Sequence, residues 1–170
     1  MIIRDLINIL SLGNHELYPT ATNDDVIITS KAIGYEFPQS YKTFVTEFSN
    51  GAYLYMVQEI CCVGDCTKKI QSIQDAYEPH KKSSQLLNVY ESQVKYEISN
   101  LIPYSLDSNG NAWCFVKHSN KVCYLELTEN RLFGFLNGFE EWLGILVKSK
   151  NEVIREIYDE EFLFKVLNLG

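Results

Sequence analysis

Two apolar segments, Leu101-Ile102-Pro103-Tyr104 and Trp113-Cys114-Phe115-Val116, flank Ser108-Asn109-Gly110-Asn111, the strongest turn signal in the chain. A third, Val122 to Leu127, follows the turn residues His118-Ser119-Asn120. Strands joined this closely pair antiparallel, because a parallel connection needs a crossover of about a dozen residues or more. An antiparallel meander over 101–127 is therefore the anchor for everything else. Ala52 to Val63, dense in apolar and aromatic residues, reads as a further strand or hairpin.

The rest follows helical spacing. Ile3, Leu6, Ile7 and Leu10 form one apolar face, closed by Gly13-Asn14. A second helix is expected from Thr22-Asn23, with Asn23 as cap, to Gly34, although the β-branched run Val26 to Thr29 also suits a strand. Phe37-Pro38 opens a third, with Tyr41, Phe44, Val45 and Phe48 as its stripe and Asn50-Gly51 as its stop. Residues 67–97 read as two short helices. Ile70, Ile73 and Tyr77 mark one, Leu86, Leu87, Tyr90 and Val94 the other, with Pro79 between. Asn137 to Glu140 resembles a capping box opening a helix with Phe139, Trp142, Leu143 and Leu146 inward. A last helix is expected from about Asn151. The class is α+β: a central, mostly antiparallel sheet flanked by helices, in one domain over 1–170.

The 170 residues carry 15 Lys and Arg against 22 Asp and Glu, a net charge of −7. That balance disfavours nucleic acid and anionic lipid and steers cationic partners inward. No run approaches the ~18 apolar residues of a membrane helix, and no signal peptide is legible, so the expected location is cytoplasmic. Five cysteines, with Cys61 and Cys62 adjacent, are expected as reduced thiols.

Catalytic and metal motifs fail one by one. Cys62 and Cys66 lack the second ligand pair of a structural zinc site. Asp107, Asn109 and Asn111 begin like a calcium loop, but Ala112 and His118 stand where Gly and Glu are required. There is no nucleophile elbow and no glycine-rich phosphate cradle. His15, His80 and His118 lie in polar stretches and read as surface imidazoles. No catalytic residue, cofactor or metal is expected.

Three segments together resemble a known family. Ala32 to Phe44 followed by Ser49-Asn50-Gly51, Leu101 to Tyr104 with Gly110-Asn111, and Asn137 to Leu143 are similar, in order, to motifs of the SUKH superfamily. Its best-known branch contains the yeast cell-wall-synthesis regulators. The resemblance spans residues 25–147 and leaves outer helices at 1–12 and 150–170. It departs from the pattern at Gln39-Ser40, where an acidic residue is usual, and at Ala52, where a second Gly is usual. The shared positions are Gly34, Pro38, Tyr41, Asn50, Gly51, Pro103, Gly110, Asn111 and Trp142, which in physical terms are turns, caps and core.

The resemblance implies an α+β fold. It also implies a non-enzymatic immunity protein that binds and neutralises a cognate bacterial toxin of nuclease or deaminase type. A regulatory scaffold in cell-envelope synthesis is the alternative. Candidate contact residues are Tyr53 and Tyr55, if exposed rather than packed, and Glu152, Glu156, Asp159 and Glu160, if more than a solvated face. Sheet edges leave a homodimer open.

Overall fold

The computed structural model describes residues 2–55, 58–66, 69–107 and 110–148. The expected last helix, with Glu152, Glu156, Asp159 and Glu160, lies outside the described residues, as do Ser108 and Asn109 of the central turn.

Helix α1 (Ile3–Ser11) buries Leu6 and Leu10, as its spacing requires. Helix α2 (Asn23–Ile33) is capped by Thr22, one residue before the expected Asn23. The Thr22 hydroxyl accepts from the Asp25 N–H at 3.1 Å, and the Asp25 carboxylate accepts from the Thr22 N–H at 2.8 Å. The same carboxylate oxygen also accepts from the Thr22 hydroxyl at 2.7 Å, and these two donors, the hydroxyl first and the Thr22 N–H second, hold the Asp25 carboxyl below the usual carboxylate range. The β-branched run stays helical because Val26, Thr29 and Ile33 share one buried face. Helix α3 (Gln39–Thr43) runs into a wider π-type turn over Phe44–Phe48, burying Tyr41, Phe44 and Val45.

The strands are β1 (Glu16–Leu17), β2 (Ala52–Leu54), β3 (Gln58–Ile60), β4 (Leu86–Val89), β5 (Lys95–Glu97), β6 (Leu101–Leu106), β7 (Ala112–Val116), β8 (Val122–Glu126) and β9 (Arg131–Leu136). They form one sheet in the order β1-β2-β3-β6-β7-β8-β9-β4-β5, antiparallel except between β4 and β9. Helix α4 (Ile73–Lys81) lies against β6, and helix α5 (Phe139–Lys148) contacts α1, α3 and β9. The class is α+β with a mostly antiparallel sheet, as expected.

Two expectations for 67–97 are corrected. Pro79 does not separate two helices; it sits inside α4, which Ser72 caps by accepting from the Asp75 N–H at 3.1 Å. The second expected helix is the hairpin β4–β5. Leu86, Leu87, Tyr90 and Val94 match helical spacing, yet only Leu87 is buried; Leu86 is 54% and Val94 53% exposed. The burial instead alternates along the strand, and Glu91 at φ 55° supplies the turn. Strand β9 was not legible in the periodicity at all.

Alternating residues build two apolar layers. On one sheet face Ile102, Tyr104, Trp113, Phe115, Tyr124 and Phe133 pack under the helices. On the other, Leu101, Ala112, Cys114, Val116, Cys123, Leu125 and Leu132 pack with Leu87 and Ile98. The register of β9 against β8 shifts between Tyr124 and Val122, where Gly134 takes φ 70°. A bulge there bends the strand.

The expectation of five reduced thiols is also corrected. The backbone turns at Gly64 (φ 66°) and brings Cys62 and Cys66 to a Cα separation of 6.1 Å, where they are joined as a disulfide. Cys61, Cys114 and Cys123 are buried free thiols, and burial pushes each of them up.

Gly34 and Gly51 both hold left-handed backbone, at φ 67° and 77°. A methyl at Gly34 meets open space, whereas one at Gly51 falls 2.8 Å from the Ile60 carbonyl oxygen. Urea denaturation should therefore rank them: Gly34→Ala costs about 1 kcal/mol of backbone strain, and Gly51→Ala about 3 kcal/mol once overpacking is added. Equal losses would show that the contact with Ile60 does not matter.

Candidate interaction surface

The motif positions resolve into scaffold. Pro38 precedes α3, where its carbonyl accepts from the Tyr41 and Lys42 N–H groups. Tyr41 is fully buried, and its hydroxyl donates to the Cys61 carbonyl at 2.7 Å. Asn50 does more than stop a helix. Its amide donates to the Val63 carbonyl and accepts from the Val63 N–H, both at 2.9 Å, copying a strand ladder where no strand lies. Pro103 sits at the irregularity in the β6–β7 register, outside the stretch of β6 paired to β3, so its missing N–H interrupts no β3 bond. Asn111 accepts from the Leu127 N–H at 3.1 Å and donates from its own N–H to the Asp107 carboxylate at 3.0 Å. The other Asp107 oxygen accepts from the Tyr124 hydroxyl at 2.6 Å. Gly110 takes φ 81° and Trp142 packs edge-on to Tyr104. At α5 it is Glu141, not Glu140, that accepts from the Asn137 N–H, because the helix begins at Phe139.

Both tyrosines are half-buried, in different settings. Tyr55 is half-buried against the His15 ring, edge to face at 4.6 Å, and its N–H donates to His15 Nδ1 at 3.1 Å. It is committed to the fold. Tyr53 points to the opposite face of β2 from the buried Ala52 and Leu54. The register sets it between Glu16 of β1 and Glu59 of β3. Lys69 reaches Glu16 at 2.9 Å, and one Glu59 oxygen accepts from the Gln71 N–H at 2.7 Å. Tyr18 joins the same strip; burial, then the Glu16 and Glu59 carboxylates, raise its phenol. The strip holds two tyrosines, two carboxylates and one ammonium. Glu16 and Glu59 were not legible as candidates, since only strand register places them beside Tyr53.

Elsewhere an open groove of about 790 Å³ lies between the 34–40 segment, the β7–β8 turn and the start of α5. Tyr35, Phe115, Val122 and Phe139 line it, with Lys117, His118 and Lys121 on one side and Glu36 and Glu140 on the other. Lys117 lies over the Tyr77 ring at 5.1 Å, Lys121 bonds Asn137, and Lys42 pairs with Glu36. Burial pushes the Tyr35 phenol up to about 12.

Among the described residues no three His, Cys, Asp or Glu side chains gather as a metal site would need. No helix of the described residues is long and apolar enough to cross a membrane. The three histidines are not all surface groups. His118 is exposed at φ 62°, but His80 is 6% exposed with Nδ1 2.9 Å from the Leu101 carbonyl. A carbonyl only accepts, so Nδ1 carries a proton.

With this geometry in view, the chain belongs to the SMI1 / KNR4 family (SUKH-1), whose family model matches residues 20–145. No curated protein sequence matches it. The match runs from before α2 into α5, ending three residues before that helix does, and takes in every motif position from Gly34 to Trp142; α1 and β1 precede it.

Burial lowers the His80 pKa from 6.5, outweighing the bond to Leu101. The folded chain thus resists a proton that the unfolded chain accepts. His80 leaves stability untouched well above its unfolded pKa and erodes it as pH falls through about 6.5. Chemical denaturation at about pH 7.5 and about pH 5 should show a shallower loss in His80→Gln than in the natural chain. Equal slopes would show that His80 titrates alike in both states.

Proposed function

We propose that this chain is a non-catalytic protein-binding domain that neutralises a cognate toxin, of nuclease or deaminase type. The observation that carries the reading is the Glu16-Tyr53-Glu59 ladder: a half-buried tyrosine flanked in register by two glutamates, on the sheet face opposite the buried Ala52 and Leu54. Tyrosine supplies contact area at low conformational cost, and flanking carboxylates suit the Arg and Lys side chains of a nucleic-acid-cleaving domain. The net charge of −7 favours rapid association with such a basic partner. Membership of the SUKH-1 family supports a protein-interaction role. Nuclease and deaminase inhibition needs only occlusion, so no catalytic set is called for.

The test begins with capture of the partner by tagged protein from its native cells, followed by growth rescue on co-expression with any toxin-like partner recovered. Recovery of envelope-synthesis enzymes, with no toxin, would favour the regulatory-scaffold reading. With the partner in hand, Tyr53→Ala should accelerate dissociation, and Glu16→Lys with Glu59→Lys should slow association about tenfold at low salt. Reversal of Glu152, Glu156, Asp159 and Glu160 measures whether the last helix adds to the contact. Unchanged rates in the Tyr53 and Glu16/Glu59 variants would overturn the assignment of this surface.

A further inference from the structure

Strand β5 ends the sheet among the described residues, and its three residues, Lys95-Tyr96-Glu97, have an unusual symmetry. Leu87 pairs with Tyr96, while the Val89 N–H donates to the Val94 carbonyl and the Ile98 N–H to the Gln85 carbonyl. In an antiparallel ladder, inward and outward backbone groups alternate. Val94, Tyr96 and Ile98 therefore direct their backbone groups to β4, and Lys95 and Glu97 direct theirs outward, away from the sheet. Both side chains are exposed, on the face opposite the buried Leu87. Their cross-strand neighbours in β4 are Asn88 and Leu86, so neither faces an opposite charge there.

We propose that β5 pairs antiparallel with β5 of a second copy of this chain, about a two-fold axis through Tyr96. That axis sets Lys95 opposite the copy's Glu97, and Glu97 opposite the copy's Lys95. These are the two positions whose outward N–H and C=O groups can exchange four hydrogen bonds. The same register juxtaposes two opposite-charge pairs on one face and the two Tyr96 rings on the other. Tyr96 already leans on Phe135, with ring centroids 5.7 Å apart. Val94, 53% exposed just before the strand, comes into register with the copy's Ile98, which is buried just after it. Shifting the register by two residues puts Lys95 opposite Lys95 or Glu97 opposite Glu97, and like charges directly opposed are destabilising. Charge thus selects one register. A three-residue strand pair buries less than a stable dimer interface needs, so the dimer is weak and concentration-dependent.

Sedimentation of the full chain over about 10 µM to 1 mM reads the association, in a range where weak dimers of small interfaces dissociate. The natural chain should dimerise. Lys95→Glu alone and Glu97→Lys alone should each raise the dissociation constant at least about tenfold, since both pairs become repulsive. An equimolar mixture of those two variants should dimerise again, because every facing pair is then opposite in charge. The double exchange Lys95→Glu with Glu97→Lys should dimerise by itself. Amide exchange supplies the backbone signature: the Lys95 and Glu97 N–H groups gain protection with concentration, while the Tyr96 N–H is protected throughout. Circular dichroism of each variant confirms that the fold is kept. A monomer at every concentration overturns the proposal, as does a dimer indifferent to the exchange of charge. Neither outcome touches the toxin-binding reading, which uses the opposite end of the sheet.

Discussion

The structure depends on the ring of Phe115. It is enclosed on β7 and meets Tyr35, Phe37, Tyr41, Tyr104 and Phe139, with centroids 4.4–6.4 Å apart. Those partners come from the segment after α2, from α3, from β6 and from α5, so one side chain closes the helical layer onto the sheet. Most of the contacts are tilted or edge-on, where the positive edge of one ring meets the negative face of another. Trp142 extends the cluster by packing against Tyr104, Phe139 and Trp113. The Tyr41 hydroxyl gives it direction: buried without the Cys61 carbonyl, it would carry the desolvation cost of an unpaired polar group, about 1–3 kcal/mol.

Around this centre the sheet is uneven at its two ends. At one end β1 and β2 stand beside the Tyr53 strip; at the other, the bulge at Gly134 bends β9 and the parallel pairing with β4 turns the β4–β5 hairpin along the second apolar layer. The ends differ in chemistry as well. The first carries tyrosines between carboxylates, and the second carries a short edge with one base and one acid. Edge strands are usually kept short and charged to prevent uncontrolled pairing. Here the same charges select a single register, because their order reverses under a two-fold axis.

How far the candidate surface could be read depended on residue separation. Tyr53 was legible as an aromatic in a strand, but whether it faced the core or solvent turned on its phase against Ala52 and Leu54. Its neighbours Glu16 and Glu59 lie 37 positions before it and 6 after it in the chain, and only pairing through β1 and β3 unites them. His80 was misread for a related reason. Its polar sequence neighbours suggest exposure, while α4 rotates it under β6 towards the Leu101 carbonyl.

Local physics in the sequence determined the helix starts to within a residue, the turns, the meander over 101–127, the helical stripes of α1, α3 and α5, and the ordered motifs that mark the family. Each rests on residues a few positions apart, where backbone geometry and periodicity leave few options. Tertiary structure alone decided the rest. The spacing of Leu86, Leu87, Tyr90 and Val94 satisfies a helix, yet these residues form a hairpin because only pairing with β9 buries Leu87 and satisfies the backbone. Cys62 and Cys66 meet because the chain turns at Gly64. The register that sets Glu16 beside Tyr53, and leaves Lys95 and Glu97 facing outward, arises from hydrogen bonds between distant segments, whose partners no local pattern specifies.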